Sequence, residues 1–295
     1  MKPILQYRFH KKHFTVRQQL RMPIYEEELW CNKNKVIYGP VASRRLKESL
    51  GINFFPKAKI CSFNCCYCDV NITSPNAFDT EFQRKNIIPP ELLKVQIEEG
   101  IKSIFNQGIH VDYVTICGNG EATDYPFFVD IAEYLLDLRA KLFPKIPLAI
   151  LTNSANIGKT EIRATLEKYD KVFYKLDAGD ERTFNNINRP VLKNIRYEEI
   201  VRLLSTIKQV IIQTAIVDSP ECSNIRSLKG PYIDVVKDIN PCEIYIHNID
   251  YPVPYKYIRR LSLNEMKKLG EYIAERTNIP VIALHSRKSL REKNL

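Results

Sequence analysis

From about residue 50 the chain alternates between two hydrophobic rhythms. Short runs rich in β-branched and aromatic residues read as strands at 49–55 (SLGINFF), 111–117 (VDYVTIC), 147–153 (PLAILTN), 171–177 (KVFYKLD), 210–217 (VIIQTAIV) and 242–249 (CEIYIHNI), with a seventh at 280–286 (PVIALHS). Between them lie stretches of helical period at 89–107, 127–143, 159–169, 197–209, 225–239 and 262–278. The last opens with Ser262 and Glu265, the spacing of a capping box. Several strand runs are apolar almost throughout, as expected where helices cover both faces of a parallel sheet. Alternating βα units connect right-handedly, and six or seven of them suit an incomplete barrel better than an open sheet wound both ways. The expected fold class is therefore α/β, a partial (βα)6-type TIM barrel over residues 36–295. Residues 1–35 lack the rhythm and are expected to form a basic N-terminal extension packed outside it.

Composition changes this picture little, but charge adds to it. The chain has 295 residues, 44% of them hydrophobic, enough for a substantial core. No apolar run approaches the length a bilayer requires. The opening MKPILQYRFHKKHFTVRQQLRM is polar and basic with no apolar h-region, so a secretory signal is not expected and a cytoplasmic protein is the simplest reading. The formal net charge is +10, unevenly placed: residues 1–47 hold eleven Lys or Arg against Glu26, Glu27 and Glu28, and Arg287, Lys288, Arg291 and Lys293 crowd the end. Such an excess attracts phosphate; the plainer reading is solubility.

Candidate chemistry is concentrated at 59–70, KICSFNCCYCDV. Eight cysteines in an intracellular chain read better as ligands plus buried thiols than as a disulfide framework, and half of them lie in this segment. Cys61, Cys65 and Cys68 are spaced C-x3-C-x2-C after the first strand, while Cys66 must point elsewhere in so tight a turn. Zinc ribbons and ordinary ferredoxin clusters take four protein ligands. Cys31, Cys117, Cys222 and Cys242 are scattered singly, with no second pair. Three ligands leave one coordination position open, as a catalytic centre requires; a structural zinc site with a distant fourth ligand is the alternative. The second strand ends in CGNGEATDYP, where Gly118 and Gly120, flanking Asn119, let a backbone approach a ligand and Glu121 offers an acceptor, although the stretch alone reads as a tight turn. Polar residues recur at later strand ends: Asn153, Lys175 with Asp177, Gln213 with Thr214, and His247 with Asn248. Those ends form the active-site face of a βα barrel, and polar groups in apolar strands are costly without partners. For each one singly, an interior hydrogen bond is the competing explanation.

C-x3-C-x-(aromatic)-C after the first strand, followed by Gly-Asn-Gly-Glu after the second, resembles the signature of the radical S-adenosylmethionine (radical SAM) superfamily. The resemblance implies that Cys61, Cys65 and Cys68 hold a [4Fe–4S] cluster whose fourth iron takes the amino and carboxylate groups of S-adenosyl-L-methionine. It implies that Tyr67 lies near the adenine, that Gly118, Asn119, Gly120 and Glu121 receive the amino group, and that Asp177 and Lys175 lie near ribose and carboxylate. Asn153, Gln213 and His247 would line the same site, and Cys66 would be no ligand. YGPVASRRLKESLGIN, GNGEAT, KLDAGDERTFNNINRP and NIDYPVP together resemble the Fe–S oxidoreductases related to the wyosine-forming tRNA enzyme, over about residues 36–285. That group usually has a proline after the glutamate, where Ala122 stands, and an arginine before the proline of YPVP. The second departure bears on substrate. The wyosine enzymes also carry further N-terminal cysteines for a second cluster, and here there is only Cys31.

The expected activity is reductive cleavage of S-adenosylmethionine to a 5′-deoxyadenosyl radical that abstracts hydrogen from a substrate. A flavodoxin- or ferredoxin-like reductant is implied. RNA, and tRNA in particular, is the first substrate class, with Tyr7, Phe9, Phe14 and Tyr25 interleaved in the basic flank and Arg189 in NINRP available to an anion; each aromatic alone reads as packing. A peptide, protein or small-molecule substrate is the alternative within the same chemistry. A metal-stabilised binding module or an electron carrier is the alternative outside it.

Overall fold

The computed structural model describes residues 4–8, 14–19, 35–70, 72–249 and 257–286, the first two stretches by backbone alone. Its strands are β1 (Ile4–Arg8), β2 (Phe14–Gln19), β3 (Ile37–Ser43), β4 (Lys47–Ile52), β5 (Tyr113–Ile116), β6 (Leu148–Thr152), β7 (Lys171–Lys175), β8 (Ile211–Ile216), β9 (Glu243–Asn248) and β10 (Val281–Ser286). Its helices are α1 (Thr80–Asn86), α2 (Pro90–Asn106), α3 (Phe128–Leu142), α4 (Thr160–Leu166), α5 (Glu181–Ile187), α6 (Tyr197–Leu204), α7 (Ile225–Leu228), α8 (Pro231–Ile239) and α9 (Leu263–Thr277). Two compact units contain them. The first comprises residues 22–62 and 72–173, the second residues 1–21, 63–71 and 174–295.

In the first unit the strand order is β3-β4-β5-β6-β7. β3 pairs antiparallel with β4, and β4, β5 and β6 run parallel. Leu50, Ile52, Val114, Ile116, Leu148 and Ile150 are fully buried along these strands, each contributing about 1.5–3 kcal/mol by leaving water. Leu93, Ile97 and Ile101 form the buried stripe of α2, four residues apart as a helix requires. In the second unit the order is β7-β8-β9-β10-β2-β1, with β8, β9, β10 and β2 parallel in sequence and β1 antiparallel at the end. The division between units falls within β7.

The expected strand and helix succession is present from β4 onward. Five differences have physical causes. α5 is not among the expected helices, because only Phe184 and Ile187 are buried on it. β3 reads as loop because Gly39 and Pro40 interrupt it, and it pairs with β4 through a bulge between Tyr38 and Val41. β1 and β2 lie in the segment for which no element is expected, their short apolar signal diluted by charge. α1 buries no residue, so no apolar stripe announces it. The stretch 225–239 divides into α7 and α8 at Gly230–Pro231, since proline opens a helix well but cannot continue one. The capping box of α9 is fully formed, Ser262 accepting from Glu265 N–H and Glu265 accepting from Ser262 N–H. Among the described residues no helix is long and apolar enough to cross a membrane.

Candidate cofactor site

The cysteine segment is divided between the units: Cys61 belongs to the first, and Cys65, Cys66 and Cys68 to the second.

In the first unit the polar residues after β5 and β6 are bound to one another. Glu121 is buried, and its Oε1 accepts from Thr123 N–H (3.1 Å), Thr123 O–H (2.7 Å) and Thr152 O–H (2.9 Å). Its Oε2 accepts from Asn153 N–H at 2.5 Å. Burial, with Asp124 nearby, pushes the Glu121 carboxyl up from 4.5 to about 7 against the pull of these donors. Asn153 in turn donates its side-chain amide to Ser62 Oγ at 3.0 Å and to Cys61 Sγ at 3.7 Å. Asp124 accepts from Ser62 N–H at 2.6 Å, and Thr73 O–H donates to Cys61 C=O at 3.1 Å. Cys61 is thus held at its sulfur by Asn153 and at its carbonyl by Thr73. The glycines are fixed by close approach. A Cβ on Gly120 would stand 2.0 Å from Ile60 C=O, and one on Gly118 2.3 Å from Asn53 Oδ1. The same Asn53 oxygen accepts from Asn119 N–H at 3.1 Å. Asn53 and Ser62 have no motif of their own in the sequence; Ser62 stands next to Cys61, whereas Asn53 has no site residue beside it.

In the second unit Tyr67, Lys175 and Asp177 meet. Tyr67 O–H donates to Asp177 Oδ2 at 2.5 Å, and Lys175 Nζ donates to Tyr67 Oη at 2.6 Å while lying 5.1 Å from the centre of the Tyr67 ring. Asp177 has no exposed side-chain surface and also accepts from Ala215 N–H (2.7 Å) and Asn188 Nδ2 (2.7 Å). Its carboxylate is committed to the protein; Lys175, with 20% of its side chain exposed, is the member that can reach a ligand. Gln213 and His247 are buried on β8 and β9. Cys66 is buried with Cys222 in an apolar cluster that includes Tyr67 and Ile187, and its thiol is pushed up by the hydrogen bond with Cys222 and by burial. Burial likewise pushes the Cys65 thiol up to about 11, with Lys175 pulling it down. Asn188, which the sequence reading did not select, donates to Cys65 Sγ at 3.6 Å.

Among the described residues no three Cys, His, Asp or Glu side chains are grouped as a preformed metal cage. The donor chemistry nevertheless fits an iron–sulfur cluster. Soft thiol sulfurs are its usual ligands, amide N–H bonds to those sulfurs are a normal part of its surroundings, and thiols with raised proton affinity lose their protons when metal binds.

Comparison with known proteins agrees. The family model of the Radical SAM superfamily matches residues 56–218. The UPF0026 protein MJ1312 of Methanocaldococcus jannaschii is 32% identical over 239 residues, 79% of this chain and 70% of that protein. In fold the chain is similar to TYW1 with a lysine-pyruvate adduct bound, with TM-score 0.56, 17% identity, and coverage of 78% of this chain and 75% of that one. It is also similar to Streptococcus suis SuiB bound to precursor peptide SuiA, with TM-score 0.56, 15% identity, and coverage of 79% and 48%. At such identities the likeness is one of fold, the partial barrel expected from the alternation of strands and helices.

Proposed function

The chain belongs to the radical SAM superfamily, and on that premise we propose that Cys61, Cys65 and Cys68 hold a [4Fe–4S] cluster with S-adenosylmethionine at its open iron. Bound there, the cluster supplies the electron that splits the cofactor into methionine and a 5′-deoxyadenosyl radical able to take hydrogen from a substrate carbon. The chain's own residues bind, orient and exclude water. Gly118, Asn119, Gly120 and Glu121 receive the amino group, for which Glu121 Oε2, with a single protein donor, keeps an acceptor position. Lys175 pairs with the carboxylate, Tyr67 lies against the adenine, and Asp177 holds both side chains in place. Asn153, Gln213 and His247 line the site alongside. The observation that carries this reading is the C-x3-C-x2-C segment with a buried asparagine amide directed at a thiol in each unit.

The substrate class is RNA, tRNA first, reached through the basic flank and served by a flavodoxin- or ferredoxin-like reductant in the cytoplasm. The +10 charge supports it. Alanine substitution tests the ligand set. Cys61→Ala, Cys65→Ala and Cys68→Ala each lose the broad brown absorbance and most bound iron after anaerobic reconstitution, whereas Cys66→Ala retains both. Loss of iron from Cys66→Ala, with retention in any of the other three, overturns the assignment.

A further inference from the structure

Resting on that cluster reading, we propose that Asn188 is a positioning residue for the cluster: its side-chain amide donates to the Cys65 sulfur and sets the cluster's reduction potential. The geometry is specific. Asn188 follows α5 and is 1% exposed. The cysteine segment is bound to the chain on both sides of it, Cys66 N–H to Ile187 C=O at 2.8 Å and Asn64 N–H to Arg189 C=O at 2.9 Å. Its own N–H is held by Phe184 C=O at 2.8 Å. Backbone bonds therefore fix Asn188 against Cys65, and little side-chain freedom remains.

The amide orientation is fixed as well. Asp177 Oδ2 is an acceptor 2.7 Å from the side-chain nitrogen, so the NH2 group faces it. That group carries two hydrogens. One satisfies Asp177, and the other is left for Cys65 Sγ at 3.6 Å. The amide oxygen is buried without a hydrogen-bond partner. Asn153 repeats the contact in the first unit, its amide 3.7 Å from Cys61 Sγ.

An N–H directed at a ligating thiolate stabilises the more negative, reduced state of a cluster and so raises its potential. Leucine at 188 has similar volume and no donor. In reconstituted protein, EPR-monitored titration of Asn188→Leu should show a lower potential than wild type. At a fixed applied potential the ratio of reduced to oxidised cluster should fall about threefold to tenfold, where tenfold equals 59 mV for one electron. Asn188→Ser, which keeps a small donor, should fall between the two. A purely structural asparagine would change iron content or stability while leaving the potential of the loaded fraction where it was. An unchanged potential in Asn188→Leu at equal iron content overturns the inference and leaves the cluster reading intact. Failure of both variants to load iron also overturns it, since a tuning donor is dispensable for loading. Failure of wild type to load removes the cluster reading itself.

Discussion

Glu121 shows how a single residue can serve two demands. Its carboxylate ties β5 to β6 through Thr123, Thr152 and Asn153, and burial makes the charge costly, so its pKa rises from 4.5 to about 7. A raised carboxyl binds its proton more tightly folded than unfolded. The folded state then loses stability as pH rises from 4.5 to 7 and is level above. The shift corresponds to roughly 3 kcal/mol at most. Urea midpoints of the metal-free protein should fall between pH 5 and 7.5, and the decline should shrink in Glu121→Gln. A wild-type decline that persists unchanged in the variant would assign it to another group. Added S-adenosylmethionine, by placing an ammonium near Oε2, should flatten the wild-type decline once the cluster is loaded. The sequence showed Glu121 through its glycine-rich neighbourhood. It could not show that Asp177, expected at a ribose, spends its carboxylate on Tyr67, Asn188 and Ala215, because those partners come from 110, 11 and 38 residues away.

Among the elements, legibility followed burial. Strands such as β6 and β8 announce themselves because nearly every side chain is buried, and the α2 stripe because three buried residues recur at helical spacing. α1 and β3 carry no such stripe and went unread, although β3 supplies Tyr38, whose O–H donates to Cys117 C=O at 2.9 Å. α5, with only Phe184 and Ile187 inside, likewise went unread, although Asp180 caps it by accepting from Thr183 N–H at 2.8 Å. The one cap legible in the sequence, Ser262 with Glu265 at α9, is formed and is testable. Ser262→Ala removes the acceptor for Glu265 N–H and should cost about 1 kcal/mol in chemical denaturation. Glu265, also held by Arg259 at 2.8 Å, is kept down to about 2 by the Ser262 backbone N–H and Arg259. Ser262→Thr should recover most of the loss, since its hydroxyl can both accept from Glu265 N–H and donate to Glu265 Oε2. No loss in Ser262→Ala would mean that the box contributes nothing to α9.

For the molecule as a whole, the order of motifs along the chain was legible, whereas the partners of each side chain were not. Cys61 and Cys65 are four residues apart, but the amides that reach their sulfurs come from Asn153 and Asn188, separated from them by 92 and 123 residues. The basic flank is a second whole-molecule feature; Lys11, Lys12 and Arg21 lie outside the described residues, and Arg17 falls on β2. Neutralising all four should weaken tRNA binding in a filter assay and make its salt dependence shallower, since fewer counterions are released. Wild-type binding no more salt-dependent than that of an unrelated basic protein would favour a peptide or small-molecule substrate. The most direct measurement is release of 5′-deoxyadenosine by the anaerobically reconstituted protein given dithionite and S-adenosylmethionine. Wild type should release it, and Cys61→Ala, Cys65→Ala and Cys68→Ala should not. A wild-type protein that carries iron, binds S-adenosylmethionine and forms no 5′-deoxyadenosine, or a colourless protein that retains zinc instead, would contradict the account.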